Sequence, residues 1–225
     1  MYEVSTRVCC ASDACWLEER RKCVTGTDIP ILFESYPEKW GVTTPEQLLE
    51  EKLIQGSFMP VKKTMWWGTE MEVPNMRAFS RLTGLSVDPD NSFYRRGVMG
   101  ATTDGTVSTS NALPPLEPCW TDAFRNLAKE LEELADKTGE PLGLLEMKNV
   151  SAFALKEWQK GPPRYYWEQV QGQLYVTGHA WAVLCGKIGS SDMVCHVIGV
   201  DSLFREVMLE KANEFWKEVE RGSKG

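Results

Sequence analysis

The chain has 225 residues and a net charge of −7, which argues against a protein that coats DNA through a uniformly basic surface. Its 42% hydrophobic and 25% charged content is ordinary for a globular protein with a sizeable core. No apolar run reaches the ~20 residues of a membrane span, and the N-terminus lacks the apolar core of a secretory signal.

In chain order, residues 10–22 predict a helix. Thr25-Gly26-Thr27-Asp28 then resembles a cap before a short helix through Glu34. Thr43-Thr44-Pro45-Glu46 starts another helix, to about Ile54, with a Thr cap, Pro in the first turn and an acid. A third helix spans 66–83 and stops at Gly84. From Gly84 to Thr109, Gly, Pro, Asp and Asn punctuate short β-prone pieces, predicting strands and a hairpin. Pro114-Pro115 and Pro118 lead into a charged helix from about Trp120 to Lys137. Its Phe124, Leu127, Leu131 and Leu134 are spaced 3, 4 and 3 apart, one helical face. Leu142 to Val150 predicts a strand and Tyr165 to Val176 a helix. Strands over Ala180–Ile188 and 193–200, and a helix over 202–221, complete the pattern. No repeat, low-complexity tract or linker divides the chain, so a single domain over 1–225 is expected. Helices alternating with strands around one sheet predict an α/β or α+β fold.

The seven cysteines include the adjacent Cys9-Cys10, and there are two histidines and no Cys-x-x-Cys pair. They read as reduced thiols of a cytoplasmic protein. Cys9, Cys10, Cys15 and Cys23 lie close enough to raise a metal cluster, which the missing Cys-x-x-Cys disfavours.

Chemistry concentrates in a few places. Glu146 and Lys148 share one face of their strand, with Leu145 and Met147 on the other. A charged pair on so apolar a strand needs an ion partner or a metal, unless it sits on a solvent-facing edge. Asp104 precedes Gly105, a hairpin-turn dipeptide that would deliver a carboxylate at a strand end. Glu72, Met76, Phe79 and Thr83 fall on one helix face, which Met76 and Phe79 mark as inward. Glu72 therefore needs a partner there, unless it is a boundary acid favoured by the helix dipole. Tyr166, Gln169 and Gln173 also share a face. The glutamines either contact phosphate oxygens or the attacking water, or hydrogen-bond internally. Arg20 lies one turn after Trp16, and Thr25-Gly26-Thr27 offers hydroxyls and N–H groups at a helix start, which reads either as a pocket for a terminal phosphate or as a surface Arg beside an ordinary cap. Basic clusters occur at Arg20-Arg21-Lys22, Lys62-Lys63 and Arg95-Arg96, each of which reads as solvated surface by itself.

An acid followed by Glu-x-Lys on an apolar strand resembles the signature of the PD-(D/E)XK nucleases. Taken in order, Trp16-x-x-x-Arg20, Val24-Thr-Gly-Thr-Asp28, Trp67-Gly-x-x-x-Glu72 with Thr83-Gly84, Thr103-Asp104-Gly105, Leu145-Glu-Met-Lys148, Tyr166-x-x-Gln169-Val-Gln171 and Tyr175-Val-Thr-Gly178 resemble the YqaJ-type viral recombinases, the lambda exonuclease family. The resemblance covers residues 16 to about 180. It implies a restriction-endonuclease-like core with a central mixed sheet flanked by helices. It further implies Mg²⁺-dependent 5′→3′ degradation of one strand of linear duplex DNA, with Mn²⁺ as a substitute. The remaining strand would pass to a single-strand annealing protein, in the cytoplasm of a bacterium or of a virus- or phage-infected host. Lambda-like members form a ring-shaped trimer, which is a possible assembly here.

Carried over, Asp104, Glu146 and the Met147 carbonyl would be metal ligands and Lys148 would position the nucleophilic water. Glu72 would hold metal-bound water or a second ion, and Gln169 would sit beside them. Arg20, Thr27 and Thr102 fall where the family grips the 5′-phosphate, with Tyr166 on the DNA side. The usual proline before the aspartate is Thr103 here. About forty residues separate Asp104 from Glu146, so residues 110–139 read as an insertion. The alternatives are an endonuclease of the same fold, a non-catalytic DNA-binding recombination scaffold, and an iron–sulfur exonuclease.

Overall fold

The computed structural model describes residues 5–8, 12–37, 43–54, 63–110 and 122–223. Among the described residues, nine strands form two sheets. The four-stranded sheet has the order β1 (Thr6–Val8), β4 (Phe93–Arg96), β5 (Met99–Thr102), β2 (Val24–Thr25). The five-stranded sheet has the order β3 (Ser86–Pro89), β6 (Gly105–Ser108), β7 (Leu142–Val150), β8 (Trp181–Ile188), β9 (Asp192–Gly199). The larger sheet is mixed: β7 runs parallel to β8, while the other neighbours are antiparallel. This is the expected mixed α/β architecture, with a second sheet that the sequence did not announce.

The helices are α1 (Asp13–Arg21), α2 (Ile29–Leu32), α3 (Pro45–Leu53), α4 (Lys63–Thr83), α5 (Asp122–Thr138), α6 (Leu155–Trp158), α7 (Arg164–Thr177) and α8 (Ser202–Gly222). Their ends follow local chemistry. Ser12 caps α1 through the Cys15 N–H. Thr44 and Gln47 form a reciprocal capping box on α3, with Pro45 in its first turn. Gly84 and Gly178 take the left-handed conformation that ends a helix, with φ of 78° and 88°. Helix α4 begins three residues before the expected Trp66 and carries Pro74 in its interior.

One face of the five-stranded sheet packs on α4 and α5, through Met76, Phe79, Leu127, Leu131, Leu145 and Trp181. The opposite face packs on α6 and α7, through Leu144, Trp158, Val170, Leu174 and Leu184. Helix α5 buries the Phe124, Leu127 and Leu131 stripe, so it belongs to the core, whatever its origin. The first part of the proposed insertion, 111–121, lies outside the described residues. A third cluster joins α2, α3 and α8 to the far side of α7 and to β2 and β5.

Two expectations are corrected. Asp104-Gly105 is not a hairpin turn: β5 pairs with β4 and β6 with β3 and β7, so the chain changes sheets at Thr103–Asp104. The hairpin is at Gly97, between β4 and β5, with φ of 59°. The cysteines are not all reduced. Cys185 and Cys195 face each other on antiparallel β8 and β9, with Cα atoms 4.2 Å apart, and are joined in a disulfide. That register brings side chains closest, which spacing along a sequence does not disclose. Cys15 and Cys23 are free. Cys9, Cys10 and Lys62 lie outside the described residues. No helix among the described residues is long and apolar enough to cross a membrane.

Candidate active site

The site is built on β7, the middle strand of the larger sheet. Strand alternation sends Leu144, Glu146 and Lys148 toward α7 and sends Leu145 and Met147 into the opposite core. Glu146 is only 3% exposed. A buried carboxylate requires donors, and three side chains provide them. Oε1 accepts from Lys148 Nζ at 2.5 Å and from Gln169 Nε2 at 2.7 Å, while Oε2 accepts from Gln173 Nε2 at 2.6 Å. Gln169 and Gln173 lie one turn apart on α7, a helix with ten of its fourteen residues buried.

The antiparallel register that pairs Gly105 with Leu145 carries Asp104 alongside Glu146. Asp104 Oδ2 accepts the Met147 N–H at 2.8 Å. Burial first, then the Glu146 and Glu72 carboxylates, push the Asp104 carboxyl well above its ordinary range. Glu72 reaches the same region from α4, whose Met76, Phe79 and Thr83 are buried as expected. Its carboxyl is pushed up to about 6, by burial and then by Glu146. Burial alone would push the Lys148 ammonium down, but Glu146 and then Asp104 hold it above its ordinary value. Lys148 is therefore a cation in a nest of acids, with the Tyr166 ring centroid 5.1 Å from its Nζ. Thr103, in the proline position of the motif, is buried and donates its hydroxyl hydrogen to the Asp90 carbonyl.

A cleft of about 370 Å³ has Thr27, Tyr36, Gly68, Thr69, Glu72, Asp104, Met147, Lys148, Asn149, Tyr166 and Gln169 on its walls. The expected phosphate-binding residues adjoin it. Arg20 stacks on the Trp16 ring at 4.6 Å and donates to Thr27 Oγ1 at 2.8 Å. Trp16 Nε1 donates to Thr102 Oγ1 at 2.8 Å. Arg20, Thr27 and Thr102 thus converge, with Trp16 as their link.

Asp104, Glu146 and the Met147 carbonyl could offer hard oxygen donors of the kind suited to Mg²⁺ or Mn²⁺. Crowded carboxylates that raise the Asp104 carboxyl are the electrostatics a divalent cation would offset. Among the described residues no three His, Cys, Asp or Glu side chains form a metal cage by themselves.

Some functional contacts escaped the sequence reading. Lys52 Nζ, on α3, makes a buried ion pair with Asp28 at 2.7 Å and also donates to the Arg20 carbonyl at 2.9 Å. It thereby fastens the loop that bears Thr27. Gln173 makes internal hydrogen bonds, one of its two sequence readings, and the partner that reading did not name is Glu146. Tyr36, on the cleft wall, had no predicted role.

The sequence profile of the YqaJ-like viral recombinase domain matches residues 15–180. No curated protein matches the chain in sequence. Among solved structures, LHK-Exo in complex with dAMP aligns with a TM-score of 0.65 at 18% identity over 93% of each chain. A second structure of that alkaline exonuclease, from Laribacter hongkongensis, gives 0.60 at 17% identity, again over 93% of both chains. A phage-related exonuclease from Haemophilus somnus 129PT gives 0.58 at 10% identity, over 88% of this chain and 94% of the other. At such identities these likenesses speak to the fold. The profile spans most of the chain and includes every site residue named above, and the chain belongs to the YqaJ-like viral recombinase family.

Proposed function

We propose that this chain is a Mg²⁺-dependent exonuclease that digests one strand of linear duplex DNA 5′→3′ from a 5′-phosphorylated end, in recombination by single-strand annealing. The observation that carries the reading is the meeting of Asp104 and Lys148 in one cleft, with the buried Glu146 hydrogen-bonded to Lys148, beside the Arg20–Thr27–Thr102 cluster. Family membership supports a nuclease role.

Asp104, Glu146 and the Met147 carbonyl would hold the cation, which when bound supplies charge neutralisation at the phosphate and an activated water. Lys148 stays protonated beside Glu146, so it serves as a charge that orients water or steadies the phosphate oxygens rather than as a base. Gln169 fixes the Glu146 carboxylate from the cleft wall. Glu72, with its carboxyl pushed up to about 6 by burial and by Glu146, would be able to exchange a proton with water. Arg20, with Thr27 and Thr102, would grip the terminal phosphate, favouring chain ends over internal bonds.

The test is digestion of linear duplex DNA carrying a 5′-phosphate and a strand-specific label, with Mg²⁺ or with EDTA, alongside a closed circle. Mononucleotides released from the 5′ end only with Mg²⁺, with the circle intact, are expected. A cut circle would make the chain an endonuclease of the same fold, and no cleavage with any divalent metal would leave a non-catalytic scaffold. In the same assay Arg20→Ala should lose most of the preference for phosphorylated over hydroxyl ends. Equal loss on both ends would remove Arg20 from end recognition.

A further inference from the structure

Gln173 is only 2% exposed and, unlike Gln169, does not line the cleft. Its amide Nε2 donates to two acceptors, Glu146 Oε2 at 2.6 Å and the Thr102 carbonyl at 2.9 Å. Because both partners only accept, the orientation of the amide is dictated by its surroundings. Its Oε1 is buried and accepts no hydrogen bond from the described residues. That is a standing cost, tolerated here in exchange for the two bonds of the Nε2. The side chain lies directly under the Thr25–Thr27 loop: a Cβ added to Gly26 would sit 3.6 Å from Gln173 Cγ and 3.2 Å from the Gln169 carbonyl oxygen.

Thr102 receives the Trp16 indole N–H on its hydroxyl and the Gln173 amide on its carbonyl, and Trp16 in turn supports Arg20. A single path of contacts therefore runs Arg20, Trp16, Thr102, Gln173, Glu146. We propose that Gln173 is a positioning residue that holds the Glu146 carboxylate in register with the strand bearing Thr102, making end recognition and hydrolysis one mechanical unit. The inference rests on the nuclease reading above and assigns Gln173 no contact with substrate.

The test uses the full chain. Mn²⁺ affinity is measured by calorimetry without DNA, and kcat and KM are measured on duplexes with 5′-phosphoryl or 5′-hydroxyl ends. Gln173→Met, of similar length but without the amide, should weaken Mn²⁺ binding about 10-fold and lower kcat by 10- to 100-fold, roughly the cost of losing a group that orients a metal ligand. KM should change little, and the phosphoryl-to-hydroxyl rate ratio should narrow. Mn²⁺ affinity and kcat both within about twofold of the parent would overturn the inference. If Gln173→Met does not fold, Gln173→Asn, too short to span both acceptors, is judged by the same limits. A parent protein that neither binds Mn²⁺ nor releases nucleotides overturns the nuclease reading and this inference with it. A parent that does both, beside an unaltered variant, overturns this inference alone.

Discussion

The buried pair of Lys52 and Asp28 offers the sharpest energetic test of the recognition loop. Their side chains are 7% and 8% exposed, and the ion pair is 2.7 Å long. Lys52→Met would leave the Asp28 carboxylate buried with the Thr25 N–H, at 2.7 Å, as its remaining hydrogen-bond donor among the described residues. It would also strip the Arg20 carbonyl of the Lys52 donor. Removing one partner of a buried pair costs about 3–5 kcal/mol, most of it the uncompensated charge. At about 2–4 °C per kcal/mol for a chain of this size, Tm should fall by roughly 10 °C. The double variant Asp28→Asn, Lys52→Met removes the stranded charge while keeping an acceptor for Thr25. It should recover about 2 kcal/mol relative to the sum of the single changes. Urea unfolding of the four proteins measures the cycle. A Lys52→Met cost below about 1 kcal/mol, or strict additivity, would refute the reasoning. Because the pair holds Arg20 and the Thr25–Thr27 loop, the folded single variant should also lose selectivity for phosphorylated ends.

Three further outcomes are expected. Lys148→Ala should abolish hydrolysis while duplex binding, read by fluorescence anisotropy, stays within a few fold; a retained rate would take Lys148 out of the chemistry. Glu72→Gln should stabilise the cation-free protein. The shift from 4.5 to about 6 would be worth ~2 kcal/mol at about 1.4 kcal/mol per pH unit, and solvent screening of a half-buried group cuts this to ~1 kcal/mol. A raised carboxyl favours the fold while protonated and loses that advantage as pH rises through 4.5 to about 6. The gain should therefore appear in EDTA at about pH 7.5 and vanish near pH 4; an equal gain at both would contradict an electrostatic origin. Gly186→Ala should cost about 2–3 kcal/mol in thermal unfolding, because the new Cβ would come within 2.7 Å of the buried Trp158 ring. A neutral result would mean that this packing gives way freely.

Strand β7 was legible because alternation is a local property: Glu146 and Lys148 share a face whatever the rest of the chain does. The inward face of α4 was readable for the same reason, and with it the placement of Glu72. Asp104 was legible as an acid but misread as a hairpin residue. Asp-Gly is a strong local turn signal, while a change of sheet depends on which distant strands are the neighbours. Strand β1 has three residues, too few for any period. Helix α7 buries Glu168, Gln169, Gln171 and Gln173, a row that polarity alone assigns to solvent. Lys52 and Asp28 sit in different helical turns whose meeting depends on how α3 packs.

Pro74 has a consequence for the wall of the cleft. Lacking an N–H, it leaves the Glu70 carbonyl without its helical partner, midway between two differently anchored halves of α4. The C-terminal half is held by Met76, Phe79 and Thr83 in the core, whereas Trp66 and Trp67 near the start are about half exposed. Glu72 lies next to the weakened joint. The section of α4 before Pro74 is thus the less firmly anchored one, and its amides should exchange with solvent before those after the proline. Glu72, which lines the cleft from α4, stands on that less firmly anchored section.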